Sequence, residues 1–226
     1  KEQSRNKIER RIRRAKATLA AGDVVRVYHN EAVYLTAPPK PTLIADEGIY
    51  SVWSKPAGLM SSGTRFGDHC AINRWVEQNL APQREAHLIH RLDRFATGLI
   101  VLAHTKSAAA ALSKQFSDRT VSKCYRVIVE GIISDPLRID SELDGKPSIS
   151  KLVPTSINQD MQQTTLEVTI ETGRKHQIRR HLAGIGHPVL GDRQYGTGEG
   201  ELTLRSIKLA FDHPQTGNRM AYILDT

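Results

Sequence analysis

The feature that most constrains the fold is an uninterrupted apolar run at residues 98–103, Gly-Leu-Ile-Val-Leu-Ala. A run of this length without alternating polar positions is typical of a strand that is covered on both faces. It therefore predicts a central strand in a sheet with packed material on each side. The core around it must be mainly aliphatic, because aromatic residues make up only 5% of the chain and hydrophobic residues 39%.

The segments around this run alternate between strand and helix patterns. Strands are predicted where apolar residues form a short run or alternate with polar ones, at residues 49–53, 124–130 and 166–170. Helices are predicted where apolar residues recur every three or four positions, at residues 72–80, 105–119 and 178–185. Strands and helices mix without a regular βαβ repeat, so the predicted fold class is α+β.

The N-terminal part of the chain has a different character. Residues 5–20 are rich in Arg and Lys, with apolar residues on one side, and predict a basic helix. Residues 24–28, Val-Val-Arg-Val-Tyr, predict the start of a short strand, and the prolines within residues 36–42 predict a linker. We place a boundary near residue 38, between a basic N-terminal segment (1–38) and the main domain (39–226).

The charge balance favours a polyanionic partner. The formal net charge is +8, and Lys and Arg side chains that neutralise phosphates release condensed counterions. A solvated basic surface is the alternative that composition alone leaves open. No apolar run reaches membrane-spanning length, no signal-peptide pattern opens the chain, and Cys70 and Cys124 form no metal-type pair. The expectation is a cytoplasmic protein with free thiols and no membrane partner.

Residues 87–99 form the densest polar cluster, His-Leu-Ile-His-Arg-Leu-Asp-Arg-Phe-Ala-Thr-Gly-Leu. It places Asp93 beside Arg94 and two residues from Arg91, directly before the apolar run. Such a carboxylate is either a structural ion-pair residue or a catalytic group that cations hold ionised. Taken alone, the structural role is favoured by roughly two to one, because ion pairs outnumber active sites.

A second cluster, Thr-Gly-Arg-Lys-His-Gln-Ile-Arg-Arg-His-Leu at residues 172–182, follows a predicted strand and enters a predicted helix. A helix start rich in Arg, Lys and backbone donors suits an anion such as phosphate. A solvated basic face is again the alternative. Ile178 and Leu182 anchor this helix to a core, however, so its basic side should be held in place.

Together the two clusters resemble the RluA family of pseudouridine synthases. The segment at 90–94, His-Arg-Leu-Asp-Arg, is similar to the central signature of the family, and residues 123–131 and 173–181 are similar to the next two segments. Residues 186–196 and 209–217 resemble the closing segments, in the same order. Five ordered segments are far more specific than any single motif.

The resemblance implies a pseudouridine synthase fold, a mixed and largely antiparallel sheet flanked by helices with an RNA-binding cleft. It implies an enzyme that isomerises uridines in structured RNA without a cofactor or metal, as a monomer. Ribosomal RNA is the favoured target, because the N-terminal segment resembles the remnant of an accessory RNA-binding domain, and transfer RNA is possible. Asp93 takes the role of nucleophile or its electrostatic equivalent, Tyr125 that of the active-site tyrosine, and Arg179 pairs with Asp93.

The resemblance also suggests which residues contact the substrate. Arg91 is expected to fill the space that a flipped uridine vacates. The other predicted substrate contacts are His90, Arg94, Arg174 and Lys175. The chain departs from the family after Arg94, where Phe95, Ala96 and Thr97 stand in place of an acidic residue followed by Thr and Ser. Lys175 stands where the family prefers Thr or Ser.

Two other functions compete with this one. A noncatalytic RNA-binding module derived from the same fold would have no need of a buried carboxylate beside cations. A metal-dependent nuclease would need a group of carboxylates, and the sequence near Asp93 offers none. His176 and His181 are five positions apart on the predicted helix, a poor spacing for binding one metal.

Overall fold

The computed structural model describes residues 18–28, 30–64 and 67–224, and in them one sheet of ten strands. The strands are β1 (Thr42–Asp46), β2 (Tyr50–Lys55), β3 (His87–Leu88), β4 (Thr97–Ala103), β5 (Ser122–Glu130), β6 (Leu137–Leu143), β7 (Lys146–Asn158), β8 (Gln163–Ile170), β9 (Leu204–Asp212) and β10 (Arg219–Ile223). The helices are α1 (Glu31–Tyr34), α2 (Ile72–Asn79), α3 (Lys106–Ser117) and α4 (Gln177–Gly184), and a short 3₁₀ helix covers Asp68–Cys70.

The sheet is largely antiparallel. The main path runs β1-β2-β4-β9-β5-β8-β7-β6, with β10 added beside β9 and β3 beside β4. Among the strand pairs of the described residues, only β4 and β9 run parallel. The predicted α+β class and the mixed, mostly antiparallel sheet are thereby confirmed.

Strand β4 is covered on both faces, as its apolar run predicts. Leu99 and Val101 pack into one core with helix α3, whereas Ile100 and Leu102 pack into a second core with α2 and α4. At its second residue, Gly98, strand β4 lies very close to β9. A Cβ atom on Gly98 would lie 2.1 Å from the Ser206 carbonyl oxygen. Gly98 also has a φ of +99°. Only glycine fits this position.

Most of the predicted elements are present. Helices α2, α3 and α4 match the three segments of helical spacing to within one or two residues at each end, and β2, β4, β5 and β8 lie where strands were expected. Helix α3 begins after Thr105, whose side chain accepts a hydrogen bond from the Ala108 amide. Strands β1, β3, β6, β7, β9 and β10 were not anticipated.

The strand predicted at residues 24–28 is wrong, because this segment is irregular and exposed. Apolar alternation alone does not make a strand; a partner must pair with its amide and carbonyl groups, and no described strand pairs with this segment. The predicted helix at 5–20 lies outside the described residues except for 18–20, which are irregular. Within the described part of the chain, no helix is long and apolar enough to cross a membrane.

Candidate active site

The loop between β3 and β4 carries Asp93. Leu92, the residue directly before Asp93, anchors this loop to the rest of the domain. Leu92 is buried in the core beside α2 and α4. The Ser61 hydroxyl donates to the Leu92 carbonyl oxygen at 2.7 Å and accepts from the Leu92 amide at 3.0 Å. The Ala96 amide donates to the Asp93 carbonyl oxygen at 3.2 Å and closes the turn. Asp93 is thus held on a short, well-anchored loop.

Lys55, at the end of β2, ties the next part of this loop to the sheet. Its side chain is fully buried, and its ammonium donates to the carbonyl oxygens of Leu59 at 2.8 Å and Arg94 at 3.1 Å. Burial lowers the pKa of Lys55 from 10.5 to about 8, although the negative charge of Asp93 acts in the opposite direction. Sequence reasoning missed this residue; the only signal is a lysine that ends a strand predicted to be buried.

Arg179, on the buried side of α4, lies between two carboxylates. Its Nη1 donates to Asp93 Oδ2 at 2.9 Å. Its Nε and Nη2 donate to Asp192 Oδ2 and Oδ1 at 2.6 and 2.7 Å, a two-point contact. Burial would lower the pKa of Arg179, but the hydrogen bonds that it donates to Asp192 and Asp93 more than offset this effect and raise the pKa above its ordinary value. The predicted pair of Asp93 and Arg179 is therefore in contact.

Asp192 is the second carboxylate of this arrangement and is 1% exposed. It also accepts hydrogen bonds from the amides of Gln194 at 2.9 Å and Tyr195 at 3.1 Å. Burial alone would raise the pKa of Asp192, but the hydrogen bonds from Arg179 and these amides lower it. Sequence reasoning did not single out Asp192. It belongs to the segment 186–196, and no local pattern shows that its partner is Arg179.

His176 stands directly before α4 and adds a further polar contact. Its backbone is left-handed, with a φ of 53°, which is uncommon for a residue other than glycine. Its Nε2 lies 3.7 Å from Asp93 Oδ1, and its Nδ1 lies 3.0 Å from the Tyr195 hydroxyl. Burial lowers the pKa of His176, and the negative charge of Asp93 only partly offsets this decrease. The imidazole is therefore neutral at neutral pH.

Tyr125 projects from β5 into the core that also holds Leu92 and Ile178. Its side chain is buried, as the alternation along β5 predicts. Burial raises the pKa of Tyr125, and the nearby charge of Asp93 raises it further. The hydroxyl is therefore protonated at neutral pH.

A cleft of about 840 Å³ opens in front of these groups, a volume in the usual range for ligand sites. Asp93, His176, Arg179 and Asp192 line it from the protein core. Arg91 and Arg94 line it from the exposed side of the loop. The cleft thus combines a carboxylate with a fixed cation and a rim of arginines.

The structure does not bring every predicted residue to the cleft lining, and Tyr125, buried in the core, is not among the residues that line it. His90 lies toward α3, where its Nε2 accepts a hydrogen bond from the Val101 amide at 3.1 Å and its ring stacks on Phe116 at 4.6 Å. Burial, with a contribution from Lys123, lowers the pKa of His90 to about 3. Arg174 and Lys175 stand on the loop before α4, beside His176 but outside the cleft lining.

The family model described as RNA pseudouridylate synthase matches residues 49–184, more than half of the chain. The chain belongs to this family. The matched residues include Asp93, Tyr125 and Arg179, together with most of the strands that surround them. This RNA pseudouridine synthase is therefore an isomerase that acts on RNA, and the predicted family resemblance is confirmed.

Relatives of the synthase cover most of its length. The dual-specificity RNA pseudouridine synthase RluA of Escherichia coli K12 is 33% identical over 211 residues, covering 82% of this chain and 94% of the relative. The protein of the same description from Vibrio parahaemolyticus is 34% identical over 206 residues, 80% of this chain and 81% of the relative. The solved human RNA pseudouridylate synthase domain containing 1 has a TM-score of 0.70 at 20% identity, covering 84% of this chain and 86% of that one. That likeness shows the shared fold.

Proposed function

We propose that this synthase isomerises uridines in structured RNA with Asp93 as its catalytic carboxylate. The observation that carries the proposal is the position of Asp93 in the cleft, with Oδ2 bound to an arginine that a buried carboxylate holds in place. We propose ribosomal RNA as the favoured target, because the basic segment 1–38 suits an accessory RNA contact, and transfer RNA as a further one. The dual specificity in the name of the RluA relatives supports more than one target.

The chemistry breaks the bond between uracil N1 and ribose C1′ and forms a new bond from C1′ to uracil C5. Asp93 either attacks the sugar or removes a proton from it, and both steps need a charged carboxylate. Arg179 contacts Oδ2, which leaves Oδ1 available to the sugar. The freed uracil then turns and rejoins through C5, and the hydrogen of C5 leaves as a proton.

Three of the predicted residues fit these steps without a contribution from a second chain. Asp93 and Arg179 meet at 2.9 Å, and Tyr125 lies near enough for the charge of Asp93 to raise its pKa. We therefore propose that the monomer is active. His90 is left out of the proposed RNA contacts, because it packs against Phe116 on the other side of the sheet.

A release assay tests the proposal directly. RNA transcribed with tritium at C5 of uridine loses the label to water when C5 bonds to the sugar. Ribosomal and transfer RNA prepared in this way should both be tested with the purified synthase. Mapping pseudouridines in RNA from cells with and without the protein then identifies the position. A protein that binds RNA but releases no tritium from either would support the noncatalytic RNA-binding alternative.

Tyr125→Phe is expected to keep the fold and lower turnover by about a hundredfold. The ring can still stack on uracil, but the hydroxyl that takes up the C5 proton is lost. Because the hydroxyl is neutral at the start, we propose that it passes its own proton toward Asp93 as it accepts the new one. Single-turnover rates measure the loss of turnover, and thermal unfolding checks that the fold is kept. A near-normal rate would leave Tyr125 only a stacking role.

Arg91→Ala and Lys175→Ala are expected to have opposite profiles. Arg91 lines the cleft beside Asp93, so its loss should lower turnover more than affinity, because it supports the flipped state. Lys175 is exposed outside the cleft lining, so its loss should weaken binding and leave turnover nearly intact. The loss of each phosphate contact reduces the slope of log affinity against log salt by about 0.7 to 0.9.

The measurement is binding at several salt concentrations together with single-turnover rates for both variants. Lys151→Ala serves as a control for charge alone, because Lys151 is exposed on β7 and pairs with Glu171 at 2.8 Å. Identical profiles for Arg91→Ala and Lys175→Ala would show that Arg91 has no part in base flipping.

A further inference from the structure

Phe95 is an exposed aromatic residue on the rim of the cleft. It lies two positions after Asp93 and is 49% exposed, although its neighbour Ala96 is buried. The guanidinium of Arg94 lies over its ring, 5.4 Å from the centroid. A single exposed apolar side chain is ordinary on a protein surface. A phenyl ring stacked on an arginine inside a ligand cleft presents a flat surface that suits a nucleic-acid base.

The backbone beneath this ring is held firmly. The carbonyl oxygen of Arg94 accepts hydrogen bonds from the Lys55 ammonium at 3.1 Å and from the Gly58 amide at 2.9 Å. The Arg94 Nε donates to the Gly58 carbonyl oxygen at 3.3 Å. On the other side of Phe95, the Ala96 amide closes the turn on Asp93. The ring is therefore offered from a fixed position, and little ordering is needed when a ligand binds.

We propose that Phe95, supported by Arg94, is a stacking platform for an unpaired base next to the target uridine, so that it selects RNA in which this neighbour is unpaired. This inference rests on the proposed function. When a uridine leaves its stack to reach Asp93, the adjoining base loses a stacking partner. Arg91 is the proposed occupant of the vacated space, and the Phe95 ring offers the adjoining base a new stacking surface. Since a phenyl ring has no hydrogen-bonding group, it accepts any base and requires only that the base is unpaired.

The test uses a hairpin RNA built around the uridine that the mapping identifies. Two further copies each lack one base, at the nucleotide before or the nucleotide after that uridine. Removal of one of these bases should weaken binding to the wild type by roughly tenfold. Phe95→Ala should weaken binding of the intact hairpin by a similar factor, and removal of the same base should then have no further effect. Phe95→Trp should preserve affinity, whereas Phe95→Leu should behave like Phe95→Ala because it lacks a ring.

Met161→Ala is the matched control, since Met161 is an exposed apolar side chain outside the cleft lining. It should keep both the affinity and the sensitivity to base removal. Equal sensitivity of Phe95→Ala and wild type to each base removal would overturn the inference, as would a wild type that is insensitive to both. In either case tritium release by the wild type would still stand, which separates this failure from failure of the proposed function. A marked loss of thermal stability in Phe95→Ala would also overturn it, because it would indicate a packing role.

Discussion

Asp93→Asn is expected to abolish detectable pseudouridine formation, a fall of at least about 10⁴-fold, while RNA affinity changes little. The amide keeps the size of the side chain and can still accept the hydrogen bond from Arg179 Nη1. It cannot act on the sugar, because it carries no negative charge. Single-turnover tritium release and equilibrium binding to the same RNA measure the two quantities separately.

The matched control for this variant is Asp144→Asn. Asp144 also pairs with an arginine of helix α4, since Arg180 Nη1 lies 2.9 Å from its Oδ2, but it is exposed and outside the cleft lining. Asp144→Asn should retain full turnover. Retained activity in Asp93→Asn would instead make Asp93 a structural partner of Arg179, and the search for the catalytic group would begin again.

Local patterns predicted what depends on local structure. The apolar run at 98–103 indicated a strand covered on both faces, and β4 does contribute to both cores. The alternation along β5 predicted that Tyr125 points inward. The contact between Asp93 and Arg179 joins residues 86 positions apart, and it was anticipated only through the family resemblance of the two polar clusters.

The sequence could not indicate the residues that act through distant partners. Lys55 holds the carbonyl oxygen of Arg94, 39 positions further along the chain. Asp192 holds Arg179, which lies 13 positions earlier. The prediction for His90 shows a related difficulty. The loop after β3 changes sides of the sheet, so Leu92 packs with α2 and α4 whereas His90, two positions earlier, packs against Phe116 of α3. Neighbours in a polar cluster therefore do not all reach the cleft.

Asp192→Asn is expected to lower the free energy of unfolding by about 3 to 5 kcal/mol, because it leaves a buried guanidinium without its main counter-charge. Asp144→Asn offers a direct comparison, since Asp144 also accepts two hydrogen bonds from one arginine, the adjacent Arg180, at an exposed position. Water and salt screen that pair, so its loss should have little effect. Urea unfolding of both variants and the wild type measures the difference. Equal losses in the two variants would mean that the burial of Asp192 does not matter.

The pH dependence of the stability difference between wild type and Asp192→Asn tests whether the charge of Asp192 causes that difference. Burial would raise the pKa of Asp192, but Arg179 and two amides lower it below the ordinary value of 3.8. The unfolded chain therefore binds the proton first as the pH falls, and the stability contributed by this carboxylate is full above 3.8 and lost as the pH drops through the lower folded value. The stability gap between wild type and Asp192→Asn should be constant near neutral pH and close in acid.

Added salt should leave the gap almost unchanged at neutral pH, because the pair of Asp192 and Arg179 is buried. A gap that shrinks with salt, or that persists unchanged in acid, would show that Asp192 does not stabilise the fold through its charge on Arg179.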